Sequence, residues 1–160
     1  MAMFEVQPAG ADDIDDLIEL ESGLFAEDAG RHDPHADPTW PRREGRRDFE
    51  ELLASPDAVL LVARGAAGPV GFLAGSAADA SPTRQPVRYA VLRSLYVAPE
   101  ARRSGAATAL IDRFVAWAAD RGCVEAVVDH YAANDGAARL YEQHGFAERS
   151  ISRVLPLDRP

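Results

Sequence analysis

The sequence has little cysteine, no long apolar run and fewer basic than acidic side chains. Cys123 is the single cysteine among 160 residues, which excludes an internal disulfide and favours a reducing compartment. No segment approaches the ~20 consecutive apolar residues of a membrane-spanning helix. The N-terminus has no basic region followed by an apolar run, as a signal peptide would have. We therefore expect a soluble cytoplasmic protein without a membrane span.

The charge balance excludes one class of partner. The chain has 26 acidic and 17 basic residues and a net charge of −9. Nucleic-acid binding depends on a basic face, so we expect no nucleic-acid partner. An acidic balance is compatible with a cationic or amine-bearing ligand. The length suits one domain over residues 1–160, which can bury roughly 70% of its unfolded surface.

Hydrophobic periodicity indicates an α/β domain with a mixed sheet. The region of residues 30–45 contains three prolines and no periodicity, so it is predicted to be a long loop. Ala58–Ala63 and the run beginning at Val70 predict a hairpin. The strands are expected at 3–7, 58–63, 70–75, 87–97, 123–129 and 146–157, and the helices at 12–28, 43–54, 105–121 and 135–144.

A strand, a glycine-containing turn and a helix follow one another between Leu95 and Leu110. The turn has Arg102 and Arg103 in front of Gly105. The first N–H groups of a helix have no partner within the helix, and the helix dipole adds partial positive charge there. The stretch therefore predicts an anion site suited to a phosphate group. The alternative is a plain strand–helix turn with solvated arginines.

Two motifs together resemble the GNAT superfamily of N-acetyltransferases. The first is Arg102-Arg103-Ser104-Gly105-Ala106-Ala107, which matches Arg/Gln-x-x-Gly-x-Gly/Ala and follows a strand that ends Leu95-Tyr96-Val97-x-Pro99. The second is Asn134-x-x-Ala137-x-x-Leu140-Tyr141-x-x-x-Gly145-Phe146, about 30 residues later. The resemblance covers nearly the whole chain. It implies a GNAT-like fold with about seven strands in a central twisted mixed sheet and about four helices.

The resemblance also implies acetyl-CoA as cosubstrate and no metal. The backbone of Leu95 and Val97 would pair with pantetheine, and the Val97 N–H would polarise the thioester carbonyl. Asn134 is similar to the residue that contacts pantetheine, although it could also be a helix N-cap. The cofactor-binding residues implied in this way are Leu95, Tyr96, Val97, Arg102, Arg103, Ser104, Gly105, Ala106, Ala107, Thr108, Asn134, Ala137 and Tyr141.

The acid and the base of the implied reaction differ in how clearly they can be assigned. Tyr141 resembles the family's general acid, and the alternative for it is an aromatic side chain on a core-facing stripe. The stretch 89–94, where relatives often place a base, has no carboxylate or imidazole. Asp129 and His130, at the end of the next strand, are therefore candidate bases. A water molecule that relays the proton to solvent is another alternative.

Four residues are candidates for contact with the acceptor. Arg93 could bind a carboxylate, although a solvated arginine or an ion pair is the alternative. His32, His35 and Trp40 belong to the loop that covers the acceptor site in relatives. His32-x-x-His35 alone does not support a metal site, since no further His or Cys pair accompanies it.

The sequence therefore predicts an N-acetyltransferase that transfers the acetyl group directly to the amine of a small molecule, peptide or protein, with a possible homodimer. The alternative is a non-catalytic acyl-CoA-binding or regulatory module, which the missing base in strand four would suit. An unrelated phosphate-binding α/β fold is a third interpretation, and it would leave the motif from Asn134 to Phe146 unexplained.

Overall fold

Five strands form one mixed sheet in the computed structural model, which describes residues 4–158. The order in the sheet follows the chain, so that each strand pairs with the next. The first four strands are antiparallel, and the fifth is parallel to the fourth. A parallel pair needs a crossover, which a helix supplies here. The strands are β1 Glu5–Pro8, β2 Ala58–Gly65, β3 Gly68–Asp79, β4 Arg88–Val97 and β5 Cys123–Val128.

The helices lie on both faces of the sheet. Helical backbone is continuous from Ala11 to His32, because a 3-10 turn precedes α1 and a π-helical turn at Phe25–Ala29 joins α1 to α2. None of the helices in residues 4–158 combines the length and the apolar character that crossing a membrane requires. The helices are α1 Ile14–Leu24, α2 Gly30–His32, α3 Trp40–Ala54, α4 Ala106–Asp120 and α5 Asp135–Gln143.

Two apolar clusters are separated by the sheet. On one face, α1 and α3 pack against it through side chains such as Leu17 and Phe49. On the other face, α4 contributes Leu110 and Phe114, and Tyr141 of α5 belongs to the same cluster. The periodic apolar positions of each helix thus form the stripe that the sheet covers. The predicted α/β fold with a mixed sheet is confirmed.

The loop predicted over 30–45 is wrong at both ends. Gly30–His32 is helical, and α3 begins at Trp40 rather than near residue 43. Pro41 stands in the first turn of α3, where a helix tolerates a missing N–H group. Pro41 therefore marks the start of a helix, although the sequence pattern had placed it in the loop.

The terminal strand predicted over 146–157 is also wrong. Residues 147–158 are irregular and pair with no strand of the described chain. Their apolar residues suit a strand, but a strand exists only where a neighbouring strand accepts its hydrogen bonds. The described residues consequently form five strands where about seven were expected. Another difference is the length of β3, which continues to Asp79.

Candidate active site

The strands β4 and β5 separate halfway along β4. Their ladder runs from Arg88 beside Cys123 to Leu92 beside Val128 and then ends. On its other side β4 stays paired with β3 as far as Val97. The second half of β4 therefore has one edge that no strand within residues 4–158 covers.

The phase of the β3–β4 ladder shows which backbone groups face this gap. The Ala98 N–H donates to the Val70 carbonyl at 2.8 Å. Hydrogen-bonded positions alternate along an antiparallel pair, so the N–H and C=O groups of Leu95 and Val97 point away from β3. Arg102 Nε donates to the Val97 carbonyl at 2.9 Å. The Val97 N–H and both backbone groups of Leu95 are therefore the ones directed into the gap.

A cavity of about 660 Å³ occupies the gap and the space beside it. One wall is β4 from Leu92 to Val97, and the opposite wall is the end of β5 with the start of α5. The roof consists of residues between Leu24 and His32, in the π-helical turn and α2. Of the predicted site residues, the cavity is lined by His32, Arg93, Leu95, Tyr96, Val97, Arg102, Ala107, Asp129, His130, Asn134, Ala137 and Tyr141.

The predicted anion turn lies just outside the cavity, at the start of α4. Gly105 precedes the helix with φ 86°, and Arg103 has φ 57°. Glycine adopts this left-handed conformation without steric cost, which explains its place here. The Ser104 hydroxyl donates to the Ala101 carbonyl at 2.6 Å and fixes the turn. Ala106 is buried, whereas Thr108 is exposed.

Arg102 is held by a carboxylate of the cavity roof. Its guanidinium donates to Glu27, and the Tyr96 hydroxyl donates to the same carboxylate at 2.9 Å. Burial raises the pKa of Glu27, but these two hydrogen bonds outweigh it and hold the pKa below its usual range. Gly23 makes the contact possible, since a Cβ there would lie 2.6 Å from the Tyr96 oxygen. The network links the roof to β4 and to the anion turn.

Tyr141 lines the cavity and is 8% exposed. Burial, together with the nearby Asp28 carboxylate, raises the pKa of its hydroxyl to about 12. Its ring packs edge-on against Phe146 and is stacked with the His130 ring at 6.0 Å. The hydroxyl is consequently protonated at neutral pH and can donate a hydrogen bond.

Asn134 has two partners. Its Oδ1 accepts from the Ala137 N–H at 3.0 Å and caps α5, while its Nδ2 donates to Asp28 Oδ1 at 2.9 Å. The N-cap alternative is therefore present, and the amide group still lines the cavity. Asp28 was not identified in the sequence. The adjacent acids Glu27 and Asp28 near a predicted helix C-terminus, where the dipole disfavours them, were the available signal.

The remaining candidates are Arg93 on β4 and two residues at the end of β5. Arg93 is the bulged residue of β4 and lies 3.4 Å from Asp48, so an ion pair occupies its guanidinium. Asp129 and His130 line the cavity at the end of β5, and His130 Nδ1 lies 3.0 Å from the Tyr131 carbonyl oxygen. Both are exposed.

The three residues of the predicted acceptor loop do not lie together. His32 lines the cavity, 3.9 Å from Asp28, and its ring centroid is 5.3 Å from that of Tyr131. Trp40 is stacked on Phe25 in a separate shallow hollow, and His35 lines neither space. In the described part of the chain, no cluster of three His, Cys, Asp or Glu side chains has the arrangement of a metal site.

The site thus combines three features: a free strand edge, a helix N-terminal turn and a buried tyrosine. Such an arrangement can accept an extended ligand with an anionic tail alongside main-chain groups. The Acetyltransferase (GNAT) family model matches residues 17–146, and the chain belongs to this family.

Relatives and solved structures agree with the family. An aminoglycoside N(6′)-acetyltransferase type 1 from Serratia marcescens is 34% identical over 68% of this chain and 78% of its own length. A mutant BH1408 protein from Bacillus halodurans has a TM-score of 0.81 at 15% identity, over 96% of this chain and 99% of its own. The aminoglycoside N-acetyltransferase AAC(6′)-Iy in complex with CoA has a TM-score of 0.76 at 18% identity, covering 98% of this chain and 95% of its own.

The family and the curated relative identify the protein as an acyltransferase of the N-acetyltransferase class. They contradict the interpretation as an unrelated phosphate-binding fold. They also favour an enzyme over a non-catalytic binding module.

Proposed function

We propose that the protein transfers the acetyl group of acetyl-CoA directly to a primary amine of a small polycationic acceptor of the aminoglycoside type. The observation that supports this most strongly is the cavity between β4 and β5. Its walls present the free backbone groups of Leu95 and Val97, and Tyr141 and Asp28 line the same space.

The donor half of the site consists mainly of backbone. The pantetheine amides pair with the free edge of β4 as an added strand would, and the pyrophosphate lies at the turn before α4. The Val97 N–H donates to the thioester carbonyl oxygen, where negative charge develops during attack. Because Arg102 is already held by Glu27 and Val97, Arg103 is the more available of the two arginines for the phosphates.

The amine nitrogen attacks the thioester carbonyl carbon, and the C–S bond of the tetrahedral intermediate then breaks. The CoA thiolate leaves with the bonding electron pair and accepts a hydrogen bond from Tyr141. The nitrogen loses two protons in all, one from the ammonium before attack and one as the amide forms; one of them protonates the CoA thiolate and the other reaches solvent. No acyl group is attached to the protein at any stage, which agrees with the lack of a nucleophile–base pair in the sequence.

Asp28 is our candidate for the group that receives the ammonium. An aliphatic amine has a pKa near ~10.4 and arrives charged, so it needs a carboxylate to hold it and a route for its proton. Asp28 lines the roof, is oriented by the Asn134 amide and is close enough to Tyr141 to raise the pKa of that hydroxyl. It replaces Asp129 and His130 as the first candidate, since those two side chains are exposed.

The proposed acceptor class rests on the activity named for the relatives and on the acidic side chains of the cavity. The three curated relatives are all aminoglycoside N(6′)-acetyltransferases. The cavity is lined by Asp28, Asp129 and Asp135, which suit a ligand with several ammonium groups. A peptide N-terminus or a protein lysine would bring fewer charges into the same space.

The test is thiol release from acetyl-CoA in the presence of an amine panel. The panel contains aminoglycosides with a 6′-amine, matched aminoglycosides with a 6′-hydroxyl, linear polyamines and peptides. We expect release with the 6′-amine compounds and little with the 6′-hydroxyl compounds. Release with peptides alone would overturn the acceptor class, and CoA binding without release with any amine would overturn the catalytic proposal.

Asp28→Asn should weaken the reaction with the amine and leave the binding of CoA unchanged. The amide keeps the shape but cannot neutralise an ammonium, so we expect kcat/KM for the amine to fall by roughly 100-fold, as for a general base. The Kd for CoA should stay within about twofold. Asp112→Asn on the exposed face of α4 is the matched control, and an equal fall in both variants would contradict the role of Asp28.

We also propose that the protein is cytoplasmic, has no nucleic-acid partner and needs no metal. Activity that survives a strong chelator would support the last of these.

A further inference from the structure

A histidine stands in the roof of the cavity. His32 lines the ligand space, and its side chain is 21% exposed, so the ring is accessible from the cavity but mostly enclosed by protein. The Tyr131 ring packs against the imidazole with the two centroids 5.3 Å apart and limits the orientations that the ring can take. An imidazole can accept a proton on one ring nitrogen and release one from the other, which suits it to proton transfer.

The helical run that forms the roof places His32 beside Asp28. The two residues are four positions apart, and residues at this spacing lie on the same face of a helix. The π-helical turn at Phe25–Ala29 does not end the helix, because the Gly30 N–H donates to the Phe25 carbonyl and the backbone continues to His32. Gly30 suits this position, since a Cβ there would lie 3.0 Å from the Phe25 oxygen. The fold thus builds a carboxylate and an imidazole into one roof.

The gap between the two side chains fits a donor that neither of them supplies. His32 Nε2 lies 3.9 Å from Asp28 Oδ1, which is too far for a direct hydrogen bond. A nitrogen placed about 3 Å from both atoms can donate to each of them at once. The Asn134 amide donates to the same Oδ1 at 2.9 Å and so holds the carboxylate in place. This part of the roof therefore suits an ammonium group, which has several N–H donors.

We propose that His32 is the general base of the transfer reaction. This role rests on the proposed function, since it presumes an amine acceptor that Asp28 holds. The ammonium nitrogen donates one N–H to Asp28 and another to His32 Nε2. The N–H bond to His32 breaks, the electron pair stays on the nitrogen for its attack on the thioester carbonyl carbon, and the ring releases a proton from Nδ1 to solvent. The second proton, lost as the amide forms, protonates the CoA thiolate.

The surroundings of His32 make it the better acceptor for this proton. A carboxylic acid gives up its proton well below neutral pH, whereas an imidazole does so close to it, and the best base is matched to the working pH. The His130 side chain, which also lines the cavity, is exposed, and its Nδ1 lies 3.0 Å from the Tyr131 carbonyl oxygen. Asp28 stabilises the imidazolium that forms on His32, as an acid beside a basic histidine does in other enzymes.

Steady-state kinetics of His32→Gln tests this role with the amine that the panel identifies. Glutamine keeps a hydrogen-bonding side chain but cannot take up the proton, so we expect kcat to fall roughly 100-fold. The KM values for the amine and for acetyl-CoA should stay within about threefold, because Asp28 still holds the ammonium. His35→Gln, at an exposed histidine outside the cavity, is the matched control. A raised KM for the amine with kcat unchanged would show a binding contact and overturn the proposal.

Rescue by free imidazole separates proton transfer from a structural role. His32→Ala leaves a space of the size of the ring, so added imidazole should raise its kcat by about 10-fold or more and leave the parent and His35→Gln unchanged. The assay measures acetylated amine against a blank without enzyme, because imidazole itself can accept acetyl groups. The sequence has no lysine, so the protein offers no side-chain amine that would add to the signal. His32→Ala that binds CoA normally but is not rescued overturns the proposal.

The outcomes distinguish the role of His32 from the proposed function. If the parent acetylates an amine and His32→Ala keeps its activity, the function stands and the role of His32 is wrong. Rescue of His130→Ala in place of His32→Ala would assign the proton transfer to His130 and overturn the proposal. If the parent acetylates no amine at all, the proposed function and the role of His32 fail together.

Discussion

The Tyr141 hydroxyl has a pKa of about 12, and this value limits what it can do for a departing thiolate. A thiol has an ordinary pKa near ~8.5, so complete proton transfer from Tyr141 would be unfavourable by about 5 kcal/mol. A hydrogen bond from the neutral hydroxyl to the thiolate has no such cost. Burial thus makes Tyr141 a hydrogen-bond donor that stays protonated across the whole neutral range.

Tyr141→Phe should reduce turnover without weakening donor binding. A hydrogen bond to a charged group contributes about 1.5–3 kcal/mol, so we expect kcat to fall roughly 10- to 100-fold. The KM for acetyl-CoA should change by less than about threefold. Steady-state kinetics provides the measurement, and Tyr89→Phe, away from the cavity, is the control. Unchanged kcat would remove Tyr141 from the mechanism.

Glu21 is a buried acid that neither motif includes. It is 4% exposed, and its Oε2 has no hydrogen-bond partner in the described chain. Burial raises the pKa of Glu21 to about 7, the Asp48 carboxylate adds to this rise, and Arg93 opposes it. The native protein therefore binds this proton more tightly than the unfolded chain, in which glutamate titrates near 4.3.

The stability of the protein should consequently fall as the pH rises from about 4.5 through 7. The contribution of Glu21 is fully present below the unfolded pKa and is lost as the pH passes the folded value. Glu21→Gln should remove this loss, so the variant should exceed the parent by up to ~3 kcal/mol in free energy of unfolding at pH 8. Urea unfolding at pH 5 and pH 8 measures both values. An equal difference at the two pH values would contradict this account.

At the scale of elements, the glycines at the two ends of α4 allow a test of the predicted anion site. Gly105 has φ 86°, and a Cβ added there would meet no atom within 4 Å. Gly122, at the other end of the same helix, has φ 74° and is equally open. A substitution at either glycine therefore strains the backbone alike, and the two positions differ in their distance from the proposed phosphate site.

Gly105→Asp should weaken CoA binding much more than Gly122→Asp. A carboxylate beside a pyrophosphate costs several kcal/mol, which corresponds to a fall in affinity of roughly 100-fold or more. Gly122→Asp should bind CoA as the parent does. Calorimetric titration with CoA measures the two affinities, and equal losses would show that backbone strain, not the phosphate site, is responsible.

The elements that could be predicted from the sequence are those with a clear hydrophobic period and with a glycine or proline at each end. The helix α4 begins after Gly105 and ends before Gly122, and its apolar stripe gave its bounds within one residue. The order of strand, turn and helix around Val97 was predictable for the same reason. The family motif then predicted where Tyr141 and Asn134 would lie.

The features that could not be predicted depend on contacts between residues that are far apart in the sequence. The π-helical turn at Phe25–Ala29 widens the helix locally, and this places Asp28 beside Asn134, which is 106 residues later. No local pattern shows that pairing. Similarly, the alternation after Phe146 indicates a strand, but local sequence does not say which edge will accept it.

At the scale of the whole molecule, the cavity lies between the two apolar clusters. Its roof belongs to the α1–α3 side of the sheet, whereas Tyr141 belongs to the cluster on the α4 side. A ligand that fills the cavity therefore contacts both sides and binds only when both are folded. Such a ligand stabilises the native state by mass action.

CoA should raise the midpoint of thermal unfolding. At a free concentration of 100 times Kd the stabilisation is about 2.7 kcal/mol, which corresponds to a shift of roughly 5–10 °C for a chain of this size. Differential scanning fluorimetry with and without CoA measures the shift, and Gly105→Asp should reduce it to about 1–2 °C or less at the same CoA concentration. A shift of the same size in that variant would contradict the position of the phosphate site.

The separation of β4 from β5 also has an evolutionary consequence. A ligand that pairs with main-chain groups depends little on which side chains the strand carries, so those positions can change freely while donor recognition is kept. The roof, in contrast, lines the cavity with side chains such as Glu27 and Asp28, and each substitution among them alters the surface that a ligand meets. A fold that offers its main-chain groups in this way tolerates wide divergence in sequence, as in the solved structure that shares it at 15% identity.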